Sequence, residues 1–295
     1  MPPMPRVAVA TMASYLPTDP DVDTPLLLPA FARAGIAADA VPWRSQADWA
    51  AYDLVLVRST WDYPQHAGEF DAWLTRVASV TRLVNSPGTI RWNLDKRYLS
   101  DLAEAGIAVV PTVFHDDAAA LGADLATRSG GVVVKPTVSA GSMDTGLFDA
   151  ADPGAPTLGE RILRRGGTVM LQPEVPELSE GAERSVYVIG GEPTHTIAKG
   201  ALLERGGTLI GGVYQEHPEI VTATHAEAAL AARTLEAVAA VTGEPAPLYA
   251  RIDLVTSAQH GVVVLEAELI EPALNVNLAP HAAQAFVRAV AELLV

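Results

Sequence analysis

The chain has 295 residues, and its 20 lysines and arginines against 35 aspartates and glutamates give a formal charge of −15. That deficit of cations argues against nucleic acid or an anionic membrane as partner, while 49% hydrophobic residues supply a sizeable core. With no cysteine, disulfides, thiolate metal sites and a cysteine nucleophile are excluded.

The opening Met1–Arg6 has no secretory apolar segment, and no uncharged run reaches the roughly 18 apolar residues of a membrane span. A cytoplasmic protein is expected. Val7–Thr11 then reads as a buried strand, Pro25–Ala34 as a helix closed by Gly35, and Ile36–Trp43 and Asp53–Arg58 as further strands. Apolar residues at consecutive positions, with helices between strands, predict a parallel sheet of Rossmann-like form over residues 1–92. No G-x-G-x-x-G follows the first strand, where the sequence is Val9-Ala10-Thr11-Met12-Ala13-Ser14. If the chain binds a nucleotide, it is expected to do so elsewhere.

Asn85-Ser86-Pro87-Gly88 reads as a turn cluster, after which Asn93 caps a helix over Leu94–Ala105 that Gly106 stops. Strand-like runs dominate from there: Gly131–Lys135, Thr168–Gln172, Ser185–Ile189, Thr194–Lys199, Leu248–Leu254 and Val262–Glu268. Helices are fewer, the clearest being Thr224–Thr242, with Thr224 and Glu227 at capping-box spacing and Gly243 at its end. The expectation is an α+β region with antiparallel strands, divided into a central domain over 93–171 and a C-terminal domain over 172–295.

Arg251-Ile252-Asp253 and Glu266-Ala267-Glu268 carry the strongest chemical signal. Alternation puts Arg251 and Asp253 on one face of a strand and Glu266 and Glu268 on one face of a returning strand, with a turn at Ser257–Gly261 between them. One hairpin then gathers three carboxylates and a guanidinium. Such carboxylates repel unless a cation neutralises them, and hard oxygen ligands suit Mg²⁺, which also coordinates phosphate. The alternative is a solvated polar edge.

Lysine occurs only at Lys96, Lys135 and Lys199. Lys135 ends an apolar strand before a loop of small residues, Ser139-Ala140-Gly141-Ser142, where backbone amides can approach phosphate oxygens. An ordinary lysine at a strand end fits as well. Lys96, expected in a first helical turn, conflicts with the helix dipole unless an anion binds there, though a solvated lysine would serve. Gln172, with Pro173, Glu174 and Val175, can present hydrogen-bonding groups to an adenine edge, and Glu183 can accept from ribose hydroxyls.

Together, in this order, these residues resemble the ATP-grasp superfamily of carboxylate–amine ligases. The resemblance spans essentially the whole chain and implies an N-terminal Rossmann-like domain, a lid and a C-terminal antiparallel-sheet domain. It implies phosphate contacts from Lys96 and Lys135, adenine contacts from Gln172–Val175 and a ribose contact from Glu183. The family's R-x-D…E-x-N metal motif matches Arg251, Asp253 and Glu266, with Glu268 where asparagine is usual. The cofactors implied are ATP and Mg²⁺. In this chemistry the carboxylate becomes an acylphosphate that nitrogen attacks, with Arg251 stabilising the oxyanion.

Val57-Arg58-Ser59-Thr60-Trp61-Asp62-Tyr63 and Glu268-Leu269-Ile270-Glu271-Pro272-Ala273-Leu274 are similar to a glutathione-synthetase-like branch of bacterial ligases. That branch includes O-ureido-D-serine cyclo-ligases, which form D-cycloserine, so intramolecular closure of a small amino-acid substrate is implied. Arg58, at the C-terminal end of a parallel strand, is the candidate clamp for the substrate carboxylate, with Ser59 and Thr60 beside it. Arg58 paired with an acid such as Asp62 is the alternative, and Trp61 and Tyr63 suit core packing as well as substrate contact. Arg184 and Lys199 are further candidates for substrate or transferring phosphate. An intermolecular ligase and a nucleotide-binding module without catalysis stay open as rivals, and the resemblance implies a homodimer or tetramer as the expected assembly.

Overall fold

The computed structural model describes residues 3–17, 19–139, 143–201, 203, 205–207 and 218–294. Its first sheet is parallel, in the order β2-β1-β3-β4, from β1 (Arg6–Thr11), β2 (Ala37–Pro42), β3 (Leu54–Ser59) and β4 (Arg82–Val84). Two helices, α1 (Thr24–Arg33) and α2 (Ala67–Ala78), cover it. Val55 and Val57 pack with Trp43, Trp49, Phe70 and Trp73 on one face, while Leu54 and Leu56 join Phe31, Tyr249 and Phe286 on the other. The second cluster mixes both ends of the chain, so the parallel sheet shares its core with the C-terminal elements.

Ser86-Pro87-Gly88 opens α3 (Pro87–Asn93) instead of forming a turn cluster: Ser86 Oγ accepts from the Thr89 amide, and proline sits in the first turn, where no donor is lost. The single helix expected over 94–105 is therefore corrected to α3, a turn and α4 (Tyr98–Glu104). Asn93 does not cap. Its side chain bridges the Ala267 carbonyl and the Leu269 amide, fixing the end of the last strand.

The middle sheet is antiparallel, in the order β5-β8-β6-β7. It comprises β5 (Val113–His115), β6 (Gly131–Pro136), β7 (Gly146–Asp149) and β8 (Val169–Pro173), with α5 (Ala118–Thr127) and α6 (Gly154–Arg164) beneath. A short α7 (Pro176–Ser179) leads to the third sheet, ordered β11-β10-β9-β12-β13. Its strands are β9 (Glu183–Ile189), β10 (Glu192–Lys199), β11 (Glu219–Val221), β12 (Tyr249–Ser257) and β13 (Gly261–Glu268). The helix α8 (His225–Thr242) carries the expected capping box and ends at Gly243 with φ 67°, a left-handed stop that suits glycine. It packs on this sheet, and α9 (Pro280–Glu292) returns to the shared core. Helices after residue 93 are thus more frequent than composition suggested. Internal Gly122, Pro156 and Gly159 interrupt the helical pattern, but burial of Leu121, Leu158 and Ile162 outweighs them.

No helix among the described residues is long and apolar enough to cross a membrane.

Candidate active site

A cavity of about 1220 Å³ opens where the three sheets meet. The hairpin of β12 and β13 forms its floor in the expected register: Asp253 lies opposite Glu266 and Arg251 opposite Glu268. A bulge follows at once, Leu254 pairing with Val264, so Leu265 is the extra residue. Such a bulge increases the local twist beside the acidic pair.

The charges interlock. Arg251 donates through Nε to Asp253 Oδ1 at 2.9 Å and through its terminal nitrogen to Oδ2 at 2.8 Å, and also bonds Glu268. Ser185 Oγ donates to Asp253 at 2.6 Å, and Lys199 Nζ stands 3.4 Å from Asp253 and 3.2 Å from Glu183. Lys96 lies 3.2 Å from Glu266 and donates to the Ser139 carbonyl at 3.0 Å. It occupies the turn before α4, next to the N-cap Arg97, not a first helical turn.

These contacts set the protonation states. Burial would raise Asp253, but Arg251 and Lys199 hold it well below the usual carboxylate range. Glu266 is likewise lowered by Lys96 and Lys135 against its burial. Glu268 goes the other way, pushed up to about 7 by burial and by Asp253 and Glu266, which Arg251 only partly offsets. Burial draws the Lys135 ammonium down, with Glu266 opposing. The floor is thus short of positive charge at Glu268. Three carboxylates of this kind are hard donors that suit a divalent cation. Among the described residues they do not form a ready-made metal cage, because each already faces a lysine or arginine.

The middle sheet forms the roof. Lys135 and Ser139 line the cavity, as do Gln172, Pro173, Glu174 and Val175. Gln172 donates to Thr112 Oγ1 at 2.9 Å, and Glu174 is engaged by Arg205. Pairing with β5 ends at Val113 and Leu171, so the stretch from Gln172 runs on past that neighbour. Ala140, Gly141 and Ser142 lie outside the described residues.

Four expected substrate contacts do not reach the cavity, and strand parity explains the two arginines. Arg58 continues the Leu54–Leu56 face of β3 and is buried, 3% exposed, over the Tyr249 and Phe286 rings. Its partners are Asp23 at 3.6 Å and the Pro272 carbonyl at 2.7 Å, while Asp62 accepts instead from Trp43 Nε1. Ser59 is held between Tyr15 and Asp21, and Thr60 is fully buried. Arg184 sits on the β9 face opposite Ser185 and donates to the Gly181 and Glu183 carbonyls.

Further residues complete the wall. Trp61 and Tyr63, read from the sequence as core packing or substrate contact, line it. So do Tyr15 and Asp19 from the loop after β1, Glu271 and Asn275, none of which had a role assigned from sequence. Tyr15, raised to about 12 by burial and by Asp21, meets Trp61 edge-on at 5.5 Å. Asn275, at φ 51°, donates to the Tyr187 hydroxyl at 2.9 Å. Glu271 is pushed up to about 8 by burial and by Glu268, with Tyr63 hydrogen-bonded to it. These residues fall in loops, where spacing carries no signal. The run of acids 266, 268 and 271 was the one available clue.

Residues 7–85 match the family described as D-cycloserine synthetase DcsG, N-terminal domain. The chain is 36% identical to the cycloserine biosynthesis protein DcsG of Streptomyces lavendulae, over 97% of this chain and 98% of that one. It belongs to the DcsG family. The crystal structure of D-cycloserine synthetase DcsG is matched at a TM-score of 0.91 and 35% identity, over 98% of this chain and 100% of that one. The DcsG architecture is an ATP-grasp fold. The RimK-domain ATP-grasp protein of Sphaerobacter thermophilus matches at 0.65 with 22% identity, over 97% and 99% of the two chains. D-alanine–D-alanine ligase of Bacillus anthracis, complexed with ATP, matches at 0.67 with 13%, over 97% and 96%. As a DcsG-family member, the chain is an ATP-dependent ligase that forms carbon–nitrogen bonds.

Proposed function

We propose that this enzyme closes O-ureido-D-serine to D-cycloserine, consuming one ATP. Its substrate carboxylate takes the γ-phosphoryl group to give an acylphosphate and ADP. The substrate's oxygen-bound ureido nitrogen then attacks that carbonyl, closing a five-membered ring and expelling phosphate. Water removes the carbamoyl group as carbon dioxide and ammonia. The observation that carries the reading is the interlocked floor of Arg251, Asp253, Glu266 and Glu268 under Lys96 and Lys135, in a chain related to DcsG over 97% of its length.

In this reading Lys96 and Lys135 hold nucleotide phosphates, Gln172–Val175 face adenine and Glu183 a ribose hydroxyl. Ser139 joins them, with Ala140, Gly141 and Ser142, which follow it in the sequence. Arg251 donates to the oxyanion formed at the attacked carbonyl, and Lys199 neutralises the transferring phosphate. Glu266 and Glu268 would hold Mg²⁺, and Asp253 would join them only in exchange for one of its partners Arg251, Lys199 or Ser185. Mg²⁺ bound there would supply charge neutralisation for the transferring phosphates. No protein nucleophile is needed; alignment and charge neutralisation carry the rate. A cytoplasmic location goes with the demand for ATP.

ADP release tests the reading. O-ureido-D-serine with Mg-ATP, and no second amine, should release ADP at the full rate. A strict requirement for a second amino acid would favour an intermolecular ligase instead.

A further inference from the structure

We infer that Glu271 receives the α-ammonium group of the substrate and so selects amino acids over other carboxylic acids. The inference rests on the reading above that a small amino acid is activated in this cavity.

Glu271 is fixed from both sides. Its own carbonyl accepts from Trp61 Nε1 at 3.0 Å, and the next carbonyl, of Pro272, accepts from Arg58 at 2.7 Å. One residue earlier, the Ile270 carbonyl lies 3.1 Å from the Tyr249 hydroxyl. A side chain on a backbone held this firmly is pre-organised for a ligand.

Its carboxyl lacks a cation. Tyr63 is hydrogen-bonded to it, but no lysine or arginine among the described residues forms an ion pair with it. The nearby cations are committed elsewhere: Lys96 to Glu266, Lys199 to Glu183 and Asp253, Arg251 to Asp253 and Glu268, and Arg58 to Asp23. Among the described residues, the loops of the parallel sheet bring Asp19, Asp23 and Asp62 to the cavity wall and no lysine or arginine. This end of the cavity is built to accept positive charge, and its upward-shifted carboxyl agrees with a missing counter-charge.

An amino acid supplies that charge at the right place. Its carboxylate must lie by the phosphoryl group, over Arg251 and Glu268, for in-line attack. The α-nitrogen is two bonds from the carboxyl carbon, and Glu271 follows Glu268 by three residues in the lining of the same cavity and feels its charge.

The test compares O-ureido-D-serine with 3-(ureidooxy)propionate, which lacks only the amino group, in wild type and Glu271→Gln. Wild type should prefer the amino compound. The variant should lose about 10- to 100-fold in kcat/KM on the amino compound, as loss of one charge-assisted contact implies, and little on the other. Its KM for ATP and its melting temperature should hold. Equal losses on both compounds, or an undiminished preference for the amine, would overturn the assignment. If wild type does not turn over O-ureido-D-serine, the proposed reaction fails on its own. Glu271 is then judged by thermal shift with D-serine against 3-hydroxypropionate, in the presence of Mg²⁺ and a non-hydrolysable ATP analogue. An amine preference that Glu271→Gln abolishes supports the site. No preference in wild type, or one that survives the substitution, refutes it.

Discussion

Lys96 Nζ stands 3.2 Å from Glu266 Oε1, joining the turn before α4 to the last strand of the antiparallel sheet. The contact holds a phosphate-binding candidate against a metal-binding candidate, with the Ser139 carbonyl 3.0 Å from the same ammonium. Replacing Lys96 by Met should therefore raise the KM for ATP by about 10- to 100-fold. The KM for the amino acid should move far less. An unchanged KM for ATP would remove Lys96 from the nucleotide site.

Glu266→Gln keeps the shape of the floor and removes one charge opposite Asp253. Turnover should fall by about 100-fold or more, since the lost charge acts directly on the transferring group. Circular dichroism and melting temperature should report an intact fold. A wild-type rate at saturating Mg²⁺ would refute the role given to this residue.

The hairpin could be read from the sequence because strand alternation is strict: Arg251 and Asp253, two apart, must share a face, and so must Glu266 and Glu268. The same rule, applied only to the strand end, misplaced Arg58. Its position after Val57 suggested the cavity mouth, but parity with Leu54 and Leu56 sends it toward Tyr249 and Phe286. Arg184 fails for the same reason beside Ser185. Asn93 looked like a cap because asparagine caps helices, yet its amide is consumed by strand backbone 174 residues away, at Ala267, which no local pattern announces. Glu271, Tyr15 and Asn275 meet only through loops of distant elements. Their association is a tertiary fact without a periodic signature.

Arg58→Met tests the buried pairing. Removing one partner leaves Asp23, whose carboxyl burial already pushes up, without its nearest cation. The loss of a buried pair costs about 3–5 kcal/mol, and at roughly 2–4 °C per kcal/mol the melting temperature should drop by on the order of 6–20 °C. ATP affinity should hold. A melting temperature unchanged in Arg58→Met would contradict the brace between Asp23 and Pro272.

His195 should make stability depend on pH. Its ring stacks on Tyr187 at 4.1 Å and donates through Nε2 to the Leu274 carbonyl at 2.9 Å, on the loop that carries Asn275. Burial pulls its pKa from 6.5 down to about 4, with Leu274 opposing and nearby His281 adding to the fall. Between those values the unfolded chain binds the proton and the folded chain does not, so stability rises with pH and is lost as pH falls below about 6.5. The contribution approaches about 3 kcal/mol at pH 4. In urea unfolding, wild type should weaken relative to His195→Gln between pH 7 and 4, where Gln can donate the same bond without a charge. Parallel profiles would show that His195 does not titrate in this range.

Product analysis of a single-substrate reaction bears most directly on the cyclo-ligase reading. Purified enzyme, Mg-ATP and O-ureido-D-serine are incubated without any other amine, and ADP and D-cycloserine are quantified together by mass spectrometry. Ring closure within one substrate predicts equal amounts of both, with ammonia in the same amount. ADP without D-cycloserine, or a linear amide that appears only when a second amine is added, would contradict it.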